Sequence, residues 1–315
     1  MDATPDGTAL LAPELEPLLG VFSLPDITTM EVLEGMRTGA MGAFEPLGTT
    51  DGVERTDHLV PGDHPLPVRV HRPRGVDGPL PCVYAMHGGG MIMGTHTMDD
   101  STFEVWCQGL GVMGVSVDYR LAPEHPYPSP LDDCERGLLW AVEHADELGI
   151  DLDRLGVFGI SAGAGLAAGL ALRVRDNGGP RLAFQLLETP MLDDRQITAS
   201  SRTEGLIVWS KASNRFGWSS YLGELDGGDV PAEAAPARAA DLSGLPPTFV
   251  SVGTADGFRD EAVDYALRLA TAGVPTELHM YPGLPHGFQA FTMLDVVQNA
   301  GRDRMDWLRR VLARP

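Results

Sequence analysis

Short runs of apolar residues alternate with stretches of helical periodicity from about residue 60 to the end of the chain. Apolar runs of four to six residues, bounded by Gly, Pro and polar residues, predict buried strands. These runs are Val68–His71, Cys82–Met86, Val112–Val117, Leu155–Ile160, Leu182–Leu187, Thr248–Val252 and Glu277–Tyr281. The predicted helices are Thr102–Leu110, Pro130–Leu148, Ala162–Arg175, Arg259–Ala272 and Arg302–Leu312. Strands that alternate with helices indicate an α/β fold with a mainly parallel, twisted sheet flanked by helices.

Two segments depart from this alternation and predict a small helical cap. Residues 1–50 are expected to form an N-terminal cap segment with short helices at Glu14–Leu19 and Thr28–Thr38. Residues 191–241 are first aromatic and then rich in Ala, Gly and Pro, which predicts a helical insertion over the sheet. Binding sites in such sheets lie at the carboxyl ends of the strands, where an insertion can cover them. The alternative for residues 191–241 is an ordinary surface segment with a small apolar cluster of its own.

The charge balance argues against two classes of partner. The 315 residues include 44 acidic and 23 basic side chains, for a formal net charge of −21. Since phosphate binding requires clustered Lys and Arg, we expect no nucleic-acid partner and no docking to an anionic membrane surface. The cysteines Cys82, Cys107 and Cys134 are widely spaced, so neither a disulfide framework nor a structural zinc site is predicted. The N-terminal stretch is acidic and lacks a long apolar run, so we expect a cytoplasmic protein.

The first candidate for chemistry is the run Gly159–Gly163, which reads Gly-Ile-Ser-Ala-Gly between a predicted strand and a predicted helix. A sharp turn from strand to helix would expose the Ser161 hydroxyl, and small residues are needed beside it because the backbone is crowded there. The helix N-terminus would favour developing negative charge. The alternative is a glycine-rich helix start with Ser161 as its N-cap.

A glycine-rich loop, His87-Gly88-Gly89-Gly90, directly follows the strand predicted at Cys82–Met86. Its flexible backbone can turn N–H groups toward one point. We therefore expect this loop to form half of an oxyanion hole, with the N–H of Ala162 as the other half. A phosphate cradle is a weaker alternative, because no P-loop pattern follows and no Lys lies nearby. His87 is expected to hold the loop by hydrogen bonds rather than to act as a base.

A serine nucleophile needs a general base and an acid that orients the base. His286 is the preferred base among nine histidines, because Pro and Gly on either side fix its loop after the last predicted strand. His279 lies inside that strand and reads as an ordinary strand residue. Asp256 follows the strand before it and is the preferred acid. The rival carboxylates are Asp260, Asp193 and Asp194.

Taken together, these blocks resemble the hormone-sensitive-lipase-like bacterial esterases of the α/β-hydrolase superfamily. The matching blocks are His87–Gly90 with Gly94, Asp118–Pro128, Gly159–Gly163, Glu188–Arg195, Asp256–Glu261 and His286–Phe288. The resemblance implies an α/β-hydrolase catalytic domain at residues 51–315, with Asp118–Pro128 as scaffold near the site. It also implies Ser161 as nucleophile, His286 as base, Asp256 as acid, and Gly88, Gly89 and Ala162 as oxyanion donors. The chain departs from the family pattern at Ile160, Ala164, Gly257 and Phe258, none of which is a triad position.

The activity that the resemblance implies is that of a serine carboxylesterase acting on short- to medium-chain acyl esters, with no metal or organic cofactor. Candidates for its apolar pocket are Met91, Met93, Trp209 and Trp218, with Met98 and Phe216, and plain packing is the alternative for each. Amidase or acyltransferase activity at the same site stays open. So does a non-catalytic small-molecule receptor, although the complete triad argues against it. A homodimer is left open, because no decisive surface patch stands out.

Overall fold

A computed structural model of the chain describes residues 6–18, 24–39 and 50–313, which fold around one eight-stranded sheet. The strands are β1 (Val53–Val60), β2 (Leu66–Pro73), β3 (Leu80–Met86), β4 (Met113–Val117), β5 (Ile150–Ile160), β6 (Gln185–Glu188), β7 (Thr248–Ala255) and β8 (Thr276–Pro285). The helices are α1 (Met30–Thr38), α2 (Asp100–Leu110), α3 (Ser129–Glu143), α4 (Ala145–Leu148), α5 (Ala162–Asp176), α6 (Lys211–Leu222), α7 (Arg259–Thr271) and α8 (Asp295–Leu312).

The strand order across the sheet is β1-β2-β4-β3-β5-β6-β7-β8. Strand β2 is antiparallel to both of its neighbours, and every pair from β4 to β8 is parallel. The expected α/β class, with a mainly parallel sheet flanked by helices, is confirmed. The carboxyl ends of β3, β5, β7 and β8 therefore lie along one edge of the sheet, where the candidate site residues follow them.

Both faces of the sheet are covered, and β3 is buried at every position. Its successive side chains alternate between two apolar clusters: Cys82 and Tyr84 belong to the larger one, and Val83 to the smaller one. The larger cluster includes side chains of α3, α5 and α7, and the smaller one those of α2 and α8. The three cysteines are free and buried, with Cys107 in α2 and Cys134 in α3. No helix within the described ranges is long and apolar enough to cross a lipid bilayer.

Strand β1 was not predicted, because residues 1–60 were expected to contain only short helices. Its sequence is mostly polar, and only its end residues Val53 and Val60 are buried. It lies at the edge of the sheet and pairs with β2 alone, so it needs no apolar alternation.

The helix expected at Pro130–Leu148 is interrupted at His144, which separates α3 from α4. The last helix begins at Asp295, seven residues before its predicted start.

The two segments expected to form a cap contact each other. Backbone N–H of Ile27 donates to Ser213 Oγ of α6 at 2.9 Å. The helix expected at Glu14–Leu19 is a 3-10 helix at Pro13–Leu18, and the next one is α1. Residues 1–5, 19–23 and 40–49 of the expected N-terminal cap segment lie outside the described residues. The division into cap and catalytic domain stays a prediction.

Candidate active site

Ser161 lies in the sharp turn between β5 and α5, at φ 60° and ψ −121°. Few residues other than glycine adopt such a backbone conformation, and those that do cluster at functional sites. Two backbone hydrogen bonds hold the turn: Ser161 N–H donates to Glu188 O at 2.9 Å, and Met191 N–H donates to Ser161 O at 3.1 Å. Glycine is required at Gly163, because a Cβ there would overlap the carbonyl oxygen of Met86. The strand, turn and helix expected from the motif are all present.

The structure brings Ser161, His286 and Asp256 into one hydrogen-bonded chain. His286 Nε2 lies 2.8 Å from Ser161 Oγ, and His286 Nδ1 lies 2.9 Å from Asp256 Oδ2. All three residues are at most 6% exposed. With the proton of the neutral ring on Nδ1, the imidazole donates to the carboxylate, and Nε2 is free to accept the serine proton. The arrangement can therefore generate a serine nucleophile.

The loops after β7 and β8 hold the acid and the base in place. Asp256 directly follows β7, and its second oxygen, Oδ1, accepts the N–H of Phe258 at 2.9 Å. His286 directly follows β8. The Phe258 ring meets the His286 ring edge-on, with 4.9 Å between the ring centroids. The sequence shows Phe258 only as a departure from the family pattern, so this support for the imidazole was not predicted.

The rival acids each form an ion pair with an arginine: Asp260 with Arg259, Asp193 with Arg195 and Asp194 with Arg238. The nitrogen–oxygen distances in these pairs are 2.8, 2.7 and 2.7 Å. The rival base His279 lies in β8, where its Nε2 is 2.8 Å from Glu277 Oε1. Within the described part of the chain, Asp256 is the carboxylate that contacts the His286 ring.

The glycine-rich loop passes directly beside the nucleophile. A Cβ built on Gly88 would lie 3.6 Å from Ser161 Cβ. Gly89 adopts φ 116°, and a Cβ there would overlap the carbonyl oxygen of Met93. In residues 6–18, 24–39 and 50–313, no protein acceptor pairs with the N–H groups of Gly88, Gly89 or Ala162. These three donors lie on segments that adjoin Ser161, which is the arrangement an oxyanion hole needs.

His87 is packed beneath this loop and is 1% exposed. Its ring stacks on Tyr119, with 4.1 Å between centroids and 9° between planes. His87 Nδ1 donates to Gly88 O at 2.8 Å, and the Tyr119 hydroxyl donates to His87 O at 2.7 Å. Burial lowers the pKa of His87 to about 4, so the ring is neutral at neutral pH. These contacts agree with the loop-holding role expected for His87.

Trp209 is the predicted pocket residue that the structure places against the site. A Cβ on Gly90 would overlap the Trp209 ring, and the ring centroid lies 6.5 Å from that of His286. Met91, Met93 and Trp218 are buried in the larger apolar cluster, and their place in a substrate pocket stays a prediction. Among the described residues, no group of three or more His, Cys, Asp and Glu side chains is placed to hold a metal ion.

The family model described as alpha/beta hydrolase fold matches residues 83–290, a range that contains all three residues of the hydrogen-bonded chain. The chain belongs to this α/β-hydrolase family. The α/β-hydrolase is similar to esterase LipI of Mycobacterium tuberculosis, with 41% identity over 214 residues. The aligned region covers 67% of this chain and 66% of LipI. It is 40% identical over 235 residues to carboxylesterase NlhH of the same species, 73% of each protein.

Solved structures of esterases share the fold of this α/β-hydrolase. The structure of a bacterial heroin esterase matches with a TM-score of 0.91 and 39% identity, over 98% of this chain and 99% of the other. The expected resemblance to bacterial esterases is confirmed, and with it the expectation of an enzyme of the carboxylic ester hydrolase class.

Proposed function

We propose that this α/β-hydrolase is a serine carboxylesterase that cleaves short- to medium-chain acyl esters through Ser161, His286 and Asp256. The observation that carries the proposal is the continuous hydrogen-bonded chain from Ser161 Oγ through the imidazole to Asp256, with distances of 2.8 and 2.9 Å. The order of the three residues along the chain, Ser then Asp then His, is the order typical of this fold.

In the acylation step, Ser161 Oγ attacks the ester carbonyl carbon while His286 Nε2 takes the hydroxyl proton. Asp256 holds the ring with Nδ1–H toward the carboxylate and stabilises the imidazolium that forms. His286 then returns the proton to the alkoxide that leaves, and an acyl-enzyme remains. In deacylation, water replaces the alcohol, and His286 acts as base once more. The proposed mechanism requires no metal or organic cofactor.

The tetrahedral oxyanion would accept hydrogen bonds from the N–H groups of Gly88, Gly89 and Ala162. Removal of a single donor of this kind typically costs about 100–1000-fold in rate. Ala162 is also the first residue of α5, a helix of 15 residues, and the positive end of the helix dipole adds to the stabilisation. Since these groups have no protein acceptor in the described chain, they can bind the oxyanion without giving up another bond.

The surroundings of the nucleophile support the proposed preference for the shorter acyl groups. Ser161 and His286 are each 6% exposed, and Trp209 covers the glycine-rich loop beside them. A narrow approach of this kind favours short acyl chains over long ones. We also propose that the enzyme works in the cytoplasm on small-molecule esters, without a nucleic-acid or membrane partner, in keeping with its net charge of −21.

Hydrolysis of p-nitrophenyl esters of graded acyl length tests the proposal. We expect the highest kcat/KM with the acetyl or butyryl ester and no activity above background in Ser161→Ala. Asp256→Asn should lower kcat by about 10⁴-fold. Asp260→Asn is the matched control, because it neutralises the rival acid four residues further on, and it should stay within about threefold of the wild type.

Other results of these assays would contradict the acid assignment or favour a different activity. Equal losses in the two aspartate variants would contradict Asp256 as the orienting acid. Faster turnover of p-nitroanilides than of esters would favour an amidase, and ester formation with added alcohol in place of hydrolysis would favour an acyltransferase. A folded wild-type protein that binds esters without cleaving any of them would contradict the proposal and favour a receptor.

A further inference from the structure

Arg37, near the end of α1, connects the N-terminal helix to the loop beside the nucleophile. Its Nε donates to Ile92 O at 2.7 Å, and its Nη2 donates to Ala122 O at 2.9 Å. The same guanidinium pairs with both carboxylate oxygens of Glu124, at 2.6 and 2.9 Å. A planar group with donors in a fixed fork can make these four bonds at once, whereas a Lys ammonium cannot.

The first of these acceptors belongs to the turn that carries Gly89. Backbone N–H groups of Ile92 and Met93 donate to Gly89 O at 3.1 and 3.0 Å. Ile92 is fully buried, and in the described chain Arg37 is the donor that its carbonyl accepts from. Gly88, Gly89 and Gly90 supply no side chains of their own. The positions of their N–H groups therefore depend on the hydrogen bonds of the turn and on the packing of the buried residues that follow them.

The second acceptor, Ala122, lies on the segment packed alongside the loop. Ala122 N–H donates to Met91 O at 2.9 Å, which aligns the two segments. Arg37 then bridges the carbonyls of Ile92 and Ala122, one from each segment. The guanidinium thus adds two hydrogen bonds that hold these two segments together.

Helix α1, which carries Arg37, is held in place by apolar packing and by a hydrogen bond just before its first turn. Its residues Leu33 and Met36 are buried in the larger apolar cluster, and Ile27 just before it bonds to Ser213 of α6. The Arg37 side chain is largely covered, with 23% of it exposed. Movement of α1 would therefore be transmitted to the loop through Arg37.

We propose that Arg37 is a positioning residue for the oxyanion hole. By holding the carbonyls of Ile92 and Ala122, it sets where the N–H groups of Gly88 and Gly89 lie relative to Ser161. The inference rests on the proposed function. Because an oxyanion forms only as the carbonyl is attacked, the effect falls on the transition state and therefore on kcat, with little effect on KM.

The size of the effect can be bounded. Outright loss of an oxyanion donor costs about 100–1000-fold, and donors that are kept but misaligned should cost less, about 10- to 100-fold in kcat. Arg37→Met removes the fork and keeps much of the side-chain length. Arg37→Lys keeps the charge and should recover only part of the loss. Glu124→Gln keeps both carbonyl bonds and should lower kcat by less than about threefold.

The assay combines steady-state hydrolysis of p-nitrophenyl acetate with binding of a trifluoromethyl ketone. Ser161 Oγ adds to the ketone carbon, His286 takes the proton, and the new oxyanion occupies the proposed hole. We expect kcat and ketone affinity to fall by the same factor in Arg37→Met. The matched control is Arg309→Met, which removes an exposed helix arginine that pairs with Asp306, and it should change neither quantity.

Titration with a fluorophosphonate counts the reactive serines and separates misalignment from unfolding. An Arg37→Met protein with wild-type kcat and ketone affinity per titrated site overturns the inference, and so does a change confined to KM. If Arg37→Met does not fold, Arg37→Lys carries the same comparison. A wild-type enzyme that hydrolyses no ester would contradict the proposed function, whereas an active wild type with an unimpaired Arg37 variant contradicts this inference alone.

Discussion

Substitution of His87 by Phe should remove one hydrogen bond from the oxyanion loop while leaving most of the packing intact. The His87 ring lies nearly parallel to Tyr119 at 4.1 Å, and a phenyl ring can keep that stacking. What is lost is the 2.8 Å bond from Nδ1 to Gly88 O. The Gly88 carbonyl and the Gly89 N–H belong to one planar trans peptide and point in opposite directions. A peptide that turns to satisfy its carbonyl therefore turns the Gly89 donor away from Ser161.

The magnitude follows from the cost of an unpaired buried carbonyl, about 1–3 kcal/mol. That cost destabilises the peptide orientation in which the Gly89 N–H points toward Ser161. The fraction of enzyme molecules in this orientation then drops by about 5- to 150-fold. Complete loss of one donor, about 100–1000-fold, sets the upper limit. We therefore expect kcat for p-nitrophenyl acetate to fall by about 5- to 150-fold in His87→Phe, with KM nearly unchanged.

His87→Asn is the matched variant, because its amide can donate to the Gly88 carbonyl from nearly the same place as Nδ1. It should recover activity to within a few-fold of the wild type, although it loses the stacking on Tyr119. The reasoning is refuted if His87→Phe keeps the wild-type kcat. It is also refuted if the Asn and Phe variants lose activity equally, since the loss would then come from the ring packing.

Three further outcomes are expected. Gly163→Ala should destabilise the fold by at least about 2 kcal/mol in urea unfolding, because its Cβ would overlap the Met86 carbonyl; an unchanged midpoint would contradict the geometry of the turn. Burial raises the pKa of Asp99 to about 7, so the wild type loses stability as pH rises from about 4 to 7. Asp99→Asn should therefore raise Tm at pH 8 more than at pH 5, and equal shifts would argue against a buried acid. Trp209→Ala should increase the ratio of hexanoyl to acetyl ester hydrolysis, and an unchanged ratio would remove Trp209 from the acyl pocket.

The candidate site was more predictable from sequence than the edges of the fold. Ser161 and Asp256 directly follow the inner strands β5 and β7, His286 follows the edge strand β8, and parallel strands bring their carboxyl ends to one edge. The local motifs, the order of the three residues along the chain and the family resemblance were therefore enough to predict them as one site. Strand β1 escaped prediction because an edge strand with two buried residues carries no apolar period. Its place is fixed by pairing with β2, which is a tertiary interaction.

Contacts that support the site could not be predicted from local sequence patterns, because they join residues far apart in the chain. Arg37 and Ile92 are 55 residues apart, and Arg37 and Ala122 are 85 apart. An arginine in the last turn of an amphipathic helix has an ordinary local explanation, the helix dipole, so nothing in the sequence marks it. The edge-on contact of Phe258 with His286 is similar. The sequence shows an unusual residue there, and only the fold shows what it touches.

The three free cysteines make cooperative opening of this fold measurable by thiol labelling, without engineered labelling sites. Cys82 lies in the central sheet, Cys107 in a helix on one face and Cys134 in a helix on the other. Burial raises the pKa of each thiol, that of Cys107 to about 12, so a labelling reagent reacts only after local exposure. Equal labelling rates would mean that the layers separate together. Faster labelling of one helical cysteine would identify the face that opens first.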